Sequence, residues 1–384
     1  MLISSLQKTK TTTTLCLLAQ ILLSLQLWFP TTRTFPLVPA FDSLPLALPI
    51  APQLFATLFV IALVFWLFLK NKQWVFYATI LFAILLILQD INRLQVWFYQ
   101  LMVMLLLIGS QKRIGQQAVI GNLQFMLIAI YIWSGFNKLG VYYIEDTFPW
   151  LLDTFAPLKP LGEIRFLAIA SALFEMAIGI GLLFNQTKRL ACYLVLLFHT
   201  FILLFLGPLG HNWNQVVWPW NLCQVLLVFF LFYDVKLVAA KQLIRIAPIS
   251  IIILLLFGFM PAFNIVDKWP DQLSFKMYSG AYTEGVIYAP KKDGYCFPNH
   301  KKAYAVQSPN ETAEFSLILD DWAIQELGVT PFVNQRFYKR LGSAYCNCLG
   351  NDPNAGIEIL TADRWNRGNE GYERIPCPAL KRKN

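Results

Sequence analysis

Long apolar segments recur along the first two thirds of the chain and constrain its fold more than any other feature. A helix that crosses a membrane needs about 20 mostly apolar residues to span a hydrocarbon core about 30 Å thick. Nine segments of this kind can be recognised, some of them slightly short. They lie at residues 14–30, 52–69, 73–90, 96–111, 117–137, 166–184, 189–207, 214–233 and 244–262. The sequence therefore predicts an all-α polytopic membrane bundle.

Charge is distributed unevenly over the 384 residues. Only 14% of the residues are charged and 57% are hydrophobic, whereas soluble proteins have roughly 25% and 45–50%. Residues 1–264 hold 16 Lys/Arg and 8 Asp/Glu, and residues 265–384 hold 15 and 14. We therefore predict a transmembrane domain over 1–264 and a small α+β domain over 265–384. An ordinary soluble enzyme, a disordered chain and a nucleic-acid-binding protein are excluded.

The basic residues predict how the bundle is oriented, because cytoplasmic loops of membrane proteins are enriched in Lys and Arg. With the N-terminus in the cytoplasm, the inner segments hold eleven basic residues and the outer loops hold five. The net charge of +9 is then mainly an orientation signal. Nine helices place the C-terminal domain on the extracytoplasmic side. Lys8 and Lys10 before an apolar run also resemble a secretory signal, but no cleavage site follows closely, so a retained anchor helix is expected.

The cysteines divide between the two predicted domains. Cys16, Cys192 and Cys223 fall in membrane helices, where Cys behaves as a small apolar residue. Four others fall in the external domain and are the disulfide candidates: Cys296, Cys346, Cys348 and Cys377.

An even number of cysteines in an oxidising compartment predicts two disulfides. Vicinal pairing of Cys346 with Cys348 is sterically awkward, so each is expected to bond a distant partner. A metal site that uses these thiolates with His300 is the alternative, although the spacing is not a standard zinc pattern; free thiols are another. Disulfides and the absence of targeting elements favour a bacterial cytoplasmic membrane as the location.

The external domain shows both strand and helix patterns. Alternating residues predict strands, and apolar residues spaced by four predict a helix. The predicted strands are 273–278, 285–288, 314–319 and 356–360, and the predicted helix is 332–344.

Three ionisable residues of the predicted bundle are candidate catalytic residues: Lys138, Glu175 and His199. Ionisable groups within membrane helices are costly and are functional candidates by default. Glu175 and His199 are expected near the midplane on consecutive antiparallel helices, where they can pair with each other. Such a pair can move a proton or hold a polar headgroup, or it can be a structural clasp between helices. Lys138 ends the fifth helix, where it either extends to the interface or loses its proton and acts as a base.

Polar and aromatic residues gather at the predicted outer ends of the helices. They suggest an outward-facing cavity covered by loop 139–165, although Trp at this depth is usually an interfacial anchor. The candidate ligand-binding residues are Asn137, His211, Asn214, Trp220 and Asn221.

Residues 120–232 resemble a known family. The features are Ser134-Gly135 followed by Lys138-Leu139, an acidic loop, Glu175, a basic turn at 188–189, and His199, in that order. This arrangement is similar to the HTTM membrane domain related to vitamin K-dependent gamma-carboxylase, and more loosely to DoxX-like membrane proteins. The resemblance implies that Lys138 is a base near an isoprenoid-quinol pocket. It does not extend to carboxylase activity.

Two functions from different classes follow. The first is an integral membrane protein whose outer cavity binds an isoprenoid quinone or a lipid-like molecule, with proton-transfer or redox chemistry at Lys138, Glu175 and His199. The second is a non-catalytic scaffold or complex subunit whose C-terminal domain binds a protein partner. A transporter is ranked last, because no repeats are visible and Pro219 is the only sign of a broken helix. Both functions place the chain in a lipid bilayer, and neither involves nucleic acid.

Overall fold

The computed structural model describes residues 2–41, 51–68, 73–239, 243, 248–290, 305–306, 315–350, 352–368 and 370–380. By packing, the chain divides into two compact units. The helical unit comprises residues 1–23, 54–85 and 94–280, and the sheet unit comprises 24–53, 86–93 and 281–384. The predicted domain boundary at 264/265 stays a prediction.

Most of the first 266 residues are helical. The longer helices are α1 (Leu2–Leu23), α3 (Pro52–Phe68), α4 (Gln73–Gln89), α5 (Val96–Gly109), α7 (Gln116–Asn137), α10 (Arg165–Leu182), α11 (Lys188–Leu206) and α12 (Val217–Val228), the last extended by a π-helical turn to Tyr233. Short helices are α2 (Leu25–Trp28), α6 (Gln111–Ile114), α8 (Phe148–Asp153) and α9 (Lys159–Gly162). Helix α13 (Ile249–Ile253) continues through π and 3-10 turns to Val266.

Among the described residues, four helices are long and apolar enough to cross a membrane, namely α7, α10, α11 and the continuous helix Ile249–Val266. Four others, α3, α4, α5 and α12 with its extension, are apolar but shorter. Of the residues in the apolar stretch of α7, 72% are buried inside the protein, whereas only 28–33% are buried in the other three long helices. Helix α7 is therefore the central helix of the helical unit.

Helix α1 differs from the predicted first segment. It spans Leu2–Leu23 and includes the polar residues before position 14. Lys10 is buried, and its ammonium lies 4.5 Å from the centre of the Trp66 ring. This cation–π contact offsets part of the cost of burying the charge. The hydropathy of residues 2–23 cannot indicate this contact, because the Trp66 ring belongs to another helix.

Small residues allow α7 and α10 to approach closely. A Cβ at Gly135 of α7 would lie 2.7 Å from the Ala172 carbonyl oxygen, and a Cβ at Gly179 of α10 would lie 3.1 Å from the Ile128 carbonyl oxygen. Close backbone approach at small residues is a common way for membrane helices to pack. It brings the side chains that flank Gly135 directly against α10.

The sheet unit contains an antiparallel sheet with the strand order β2-β3-β1-β4-β5. The strands are β1 (Thr283–Ala289), β2 (Ala305–Val306), β3 (Phe315–Ile318), β4 (Gly356–Thr361) and β5 (Gly371–Pro376). The helices of this part are α14 (Leu319–Leu327), α15 (Gln335–Cys348) and α16 (Cys377–Leu380). The α+β prediction is confirmed, with strands where 285–288, 314–319 and 356–360 were expected.

The predicted strand at 273–278 is wrong. Residues 272–274 form a 3-10 turn, and Phe275 and Tyr278 have positive φ angles of 57° and 53°. A β-strand requires negative φ. The apolar residues of this segment instead serve an aromatic cluster: the Phe275 ring lies 5.5 Å from the Phe257 ring and 6.2 Å from the Tyr99 ring.

Cys346 forms a disulfide with Cys377, which joins α15 to the start of α16. This confirms the expected pairing of Cys346 with a distant partner. Cys348 is also disulfide-bonded, and Cys296 lies outside the described residues. The cysteines of the predicted membrane helices, Cys16, Cys192 and Cys223, are free thiols and buried.

A carboxyl group with an unusual pKa lies beside β1 in the sheet unit. Burial raises the pKa of Asp320 to about 7, and the neighbouring carboxylates of Glu284 and Asp321 add to this effect. The Tyr338 hydroxyl donates a 2.9 Å hydrogen bond to Asp320 and limits the rise. Asp320 is therefore protonated in the folded protein over a pH range in which an unfolded chain has lost that proton.

We expect the sheet unit to lose stability as the pH rises from about 4 to about 7, because the folded state alone holds the Asp320 proton in this window. The loss should be about 1–3 kcal/mol, since one pKa unit is about 1.4 kcal/mol and solvent screens a half-buried side chain. Thermal unfolding at pH 5 and pH 8 measures it. Asp320→Asn should abolish most of the difference, and an unchanged difference would contradict the assignment.

Candidate functional site

The candidate site starts from one face of α7. Tyr131, Ser134 and Lys138 are spaced by three and four residues, so they lie on the same side of the helix. This side also carries Gly135, where α7 approaches α10. The central position of α7 surrounds these polar side chains with other helices and removes them from solvent.

Lys138 and Glu175 form a buried ion pair. Nζ of Lys138 lies 2.7 Å from Oε2 of Glu175, and the two side chains are 9% and 6% exposed. The same ammonium donates a 2.8 Å hydrogen bond to Oγ of Ser134 and contacts the Ser134 carbonyl oxygen at 3.4 Å. Lys138 follows the last residue of α7, and its side chain turns back along the helix. The ammonium therefore does not extend outward, as the interfacial alternative required.

His199 lies between two uncharged partners. Its Nε2 is 2.7 Å from the Tyr131 hydroxyl, and its Nδ1 is 2.6 Å from Oδ1 of Asn221. The Asn221 amide nitrogen donates a 2.7 Å hydrogen bond to the Val217 carbonyl oxygen, one turn earlier in α12. Tyr131, His199 and Asn221 are all buried. Three helices, α7, α11 and α12, thus meet at one imidazole.

The ion pair and the histidine belong to one electrostatic centre. Tyr131 interacts electrostatically with Glu175, and His199 does so with Lys138. Within a low-dielectric interior such interactions are much stronger than in water. A proton that moves at one of these groups changes the energy of the others.

The predicted pairing of Glu175 with His199 is not formed. Glu175 on α10 faces the ammonium of Lys138, and a full opposite charge offsets the burial of a carboxylate better than a neutral imidazole does. His199 instead takes partners from α7 and α12. The three predicted catalytic residues are thus brought near one another, with partners different from those expected.

The predicted ligand-binding residues occupy several places. Asn221 contacts His199 at the centre, and Asn137, next to Lys138, donates a 2.8 Å hydrogen bond to the Ser274 carbonyl oxygen. Asn214 donates to the Tyr278 hydroxyl at 3.3 Å. Asn137 and Asn214 therefore both form hydrogen bonds with the segment 267–280, which follows the helix ending at Val266.

His211 and Trp220 contact residues other than Lys138 and Glu175. The His211 ring stacks on Trp150 with 4.1 Å between centroids, and its Nε2 is 2.6 Å from the Trp150 carbonyl oxygen. Asp153 also lies 3.4 Å from this nitrogen. Trp220 donates a 3.0 Å hydrogen bond to the Gln100 side chain. His211 therefore fixes α8, within the loop that was expected to cover a cavity.

Sequence reasoning missed Tyr131 and the glutamine pair of the bundle. Gln100 and Gln224 exchange two side-chain hydrogen bonds of 3.1 and 2.7 Å between α5 and α12. Tyr131 could have been found from its spacing, since it lies seven residues before Lys138 and so on the same helix face. The glutamines carry no charge and give no such signal.

No known protein family, curated protein or solved structure matches this chain. The resemblance to HTTM and DoxX-like membrane domains therefore stays a prediction.

Proposed function

We propose that this chain is an integral membrane protein that binds the polar headgroup of an isoprenoid quinone or a lipid-like molecule and moves a proton there. The proposal includes nine membrane spans, a cytoplasmic N-terminus, an extracytoplasmic C-terminal domain and a bacterial cytoplasmic membrane. The HTTM-like arrangement around Lys138 fits this class of ligand.

One observation carries the proposal: a complete ion pair and a histidine lie together among apolar helices. Each buried ion costs several kcal/mol before its attraction to a partner is counted. A clasp between helices needs only neutral hydrogen bonds, such as the one between Gln100 and Gln224. Burying Lys138 and Glu175 only to hold helices together would therefore cost more free energy than a neutral hydrogen bond does. An ion pair and a histidine in the same bundle are instead suited to proton transfer.

The residues take distinct roles in this proposal. The Lys138 ammonium has three donors. Glu175 and the Ser134 hydroxyl take two of them, and the third, now 3.4 Å from the Ser134 carbonyl oxygen, turns to a headgroup oxygen. Because the Lys138 ammonium already donates to Glu175 and Ser134, Lys138 takes the role of a ligand for the headgroup, and the base is His199. Asn137 and Asn214 lie at the segment 267–280, beside the route by which a headgroup reaches Lys138.

The test is the lipid content of the purified full-length protein. We expect wild-type protein from native membranes to retain about one quinone or lipid-like molecule per chain in an organic extract analysed by mass spectrometry. The double variant Lys138→Met/Glu175→Met removes both charges together, so no buried ion is left unpaired. It should fold and lose most of that molecule.

The matched control is a buried ion pair of the sheet unit, Arg33 with Asp90 at 2.7 Å. Arg33→Met/Asp90→Asn also removes a buried ion pair, but none of the residues of α7, α10 or segment 267–280. It should keep the bound molecule. Equal retention by all three proteins, or no bound molecule in the wild type, would remove the support for this function.

A scaffold role is the second candidate, favoured by the outer edge of the sheet. Among the described strands β5 lies at one edge of the sheet, where Tyr372 is 57% exposed, and Trp365 in the segment before this strand is 51% exposed. Exposed edge strands with aromatic side chains are typical sites for protein partners. Under this alternative Tyr372→Ser/Trp365→Ser abolishes co-purification of a partner, while the variants at Lys138 leave it unchanged.

A further inference from the structure

The Asn221 amide has only one orientation that satisfies its contacts. One of its two side-chain atoms lies 2.7 Å from the Val217 carbonyl oxygen, which can only accept a hydrogen bond. That atom must be the NH₂ group. The other atom, 2.6 Å from Nδ1 of His199, is then the amide oxygen.

An amide oxygen cannot donate, so Nδ1 of His199 must carry a hydrogen. In the neutral ring Nε2 then holds the lone pair. The Tyr131 hydroxyl, 2.7 Å away, is the donor to it. The hydrogen bonds therefore run in one direction, from Tyr131 to His199 and from His199 to Asn221.

We infer that Tyr131 and Asn221 fix His199 as the Nδ1–H tautomer and so make its Nε2 the proton acceptor of this centre. Asn221 is a positioning residue, because it acts only through the imidazole. Tyr131 delivers the proton, because its hydroxyl is the group that faces Nε2.

This inference deepens the proposed function and rests on it for the step that follows. A ligand hydroxyl that reaches the Tyr131 oxygen passes its proton to that oxygen, while the Tyr131 proton moves to Nε2. One O–H bond of the ligand breaks, one O–H bond re-forms on Tyr131, and one N–H bond forms on His199. The products are a ligand oxyanion and an imidazolium, so the net charge is unchanged. No electron transfer is involved.

The tautomer can be measured on the full-length protein without any ligand. Only three histidines are present, His199, His211 and His300, so ¹⁵N-histidine labelling gives a simple NMR spectrum. His199→Gln assigns the signal of interest. His211 is an internal reference of the opposite kind, because its Nε2 faces the acceptor-only Trp150 carbonyl oxygen and must carry the hydrogen.

We expect His199 to show the Nδ1–H pattern and His211 the Nε2–H pattern. Asn221→Leu removes the acceptor that faces Nδ1 and should produce a mixture of the two neutral tautomers. An Nε2–H or fully protonated His199 in the wild type, or no change in Asn221→Leu, would overturn the inference.

A second measurement tests the role of Tyr131. Adding a short-chain ubiquinol to the wild type should shift the Nε2 signal of His199 toward that of a protonated ring, and Tyr131→Phe should not show this shift. The same shift in Tyr131→Phe would overturn the role of Tyr131. A failure of ubiquinol to bind any variant counts against the proposed function, whereas the tautomer alone decides the positioning by Asn221.

Discussion

Replacing one partner of the Lys138–Glu175 pair should destabilise the protein by about 3–5 kcal/mol, while replacing both should cost far less. Lys138→Met leaves the Glu175 carboxylate buried without its 2.7 Å partner, and Glu175→Met leaves the ammonium in the same condition. An uncompensated charge among packed helices carries most of its desolvation cost. In the double variant no charge remains, and two Met side chains fill similar volume.

The measurement is a double-mutant cycle on the unfolding of the purified full-length protein in detergent. We expect a coupling energy of about 3 kcal/mol or more between the two sites. An exposed pair provides the control: Arg189 and Asp234 lie 3.0 Å apart but are 63% and 55% exposed, so Arg189→Met should cost less than about 1 kcal/mol. Additive single effects at 138 and 175 would show that the pair is not a coupled unit.

The helices of the first part could be predicted because apolar length is a property of the sequence itself. The ends of these helices could not be predicted in this way, since they depend on the groups that contact the first and last turns. Helix α15 illustrates this at a smaller scale: it begins at Gln335 rather than near 332, because the Asn334 side chain accepts a 2.7 Å hydrogen bond from the Phe337 backbone and caps the helix. An Asn cap is visible in the sequence, but an apolar spacing pattern ignores it.

The members of the candidate site were also visible, because ionisable residues are rare in apolar helices. Their pairing was not. Whether Glu175 meets Lys138 or His199 depends on the rotation of α10 about its axis, which the close approach at Gly135 and Gly179 sets. No local pattern encodes this rotation. Tyr131 and Asn221 are uncharged, so their role emerges only from the contacts of the His199 ring.

The sheet unit shows the strongest difference between sequence and structure. Its compact body includes residues 24–53 and 86–93, whereas hydropathy assigns these residues to the ends of predicted membrane helices and to the loops that follow them. Asp90 forms a 2.7 Å ion pair with Arg33, although Arg93 is much nearer to it in the sequence. The Arg93 guanidinium instead donates to backbone carbonyl oxygens. Such carbonyl acceptors are present at every residue, so a sequence cannot indicate which of them are used.

Arg93 gives the second large expected effect. It is completely buried, and it donates hydrogen bonds to the carbonyl oxygens of Leu86 at 2.8 Å and Leu27 at 3.0 Å. It also contacts the Trp28 carbonyl and the Gln89 side-chain oxygen at 3.4 and 3.3 Å. The three carbonyl oxygens belong to the last turns of α2 and α4, and the C-terminal end of a helix favours a cation.

Arg93→Met removes the guanidinium hydrogen bonds to these buried oxygens, at about 1–3 kcal/mol for each one that finds no other donor. We expect a total loss of about 4 kcal/mol or more. Arg93→Lys keeps the charge but not the planar fork that reaches several acceptors at once, so a loss of about 2–4 kcal/mol is expected. If Arg93 stabilised the protein only through its charge, Arg93→Lys would restore most of the stability. A large loss in Arg93→Lys therefore shows that the several hydrogen bonds of the guanidinium are what matters.

Hydrogen–deuterium exchange gives the local measurement. Arg93 links residues 24–35 to residues 86–93 through its hydrogen bonds. In Arg93→Met these two segments should therefore exchange faster than in the wild type, before the strands β1 and β4 open. Lys339→Met, which removes only the half-exposed contact with Glu373, should leave both segments protected. Equal protection in Arg93→Met and the wild type would mean that the carbonyl oxygens find other donors, and that the sheet unit holds these segments by packing around Trp28 and Phe35 alone.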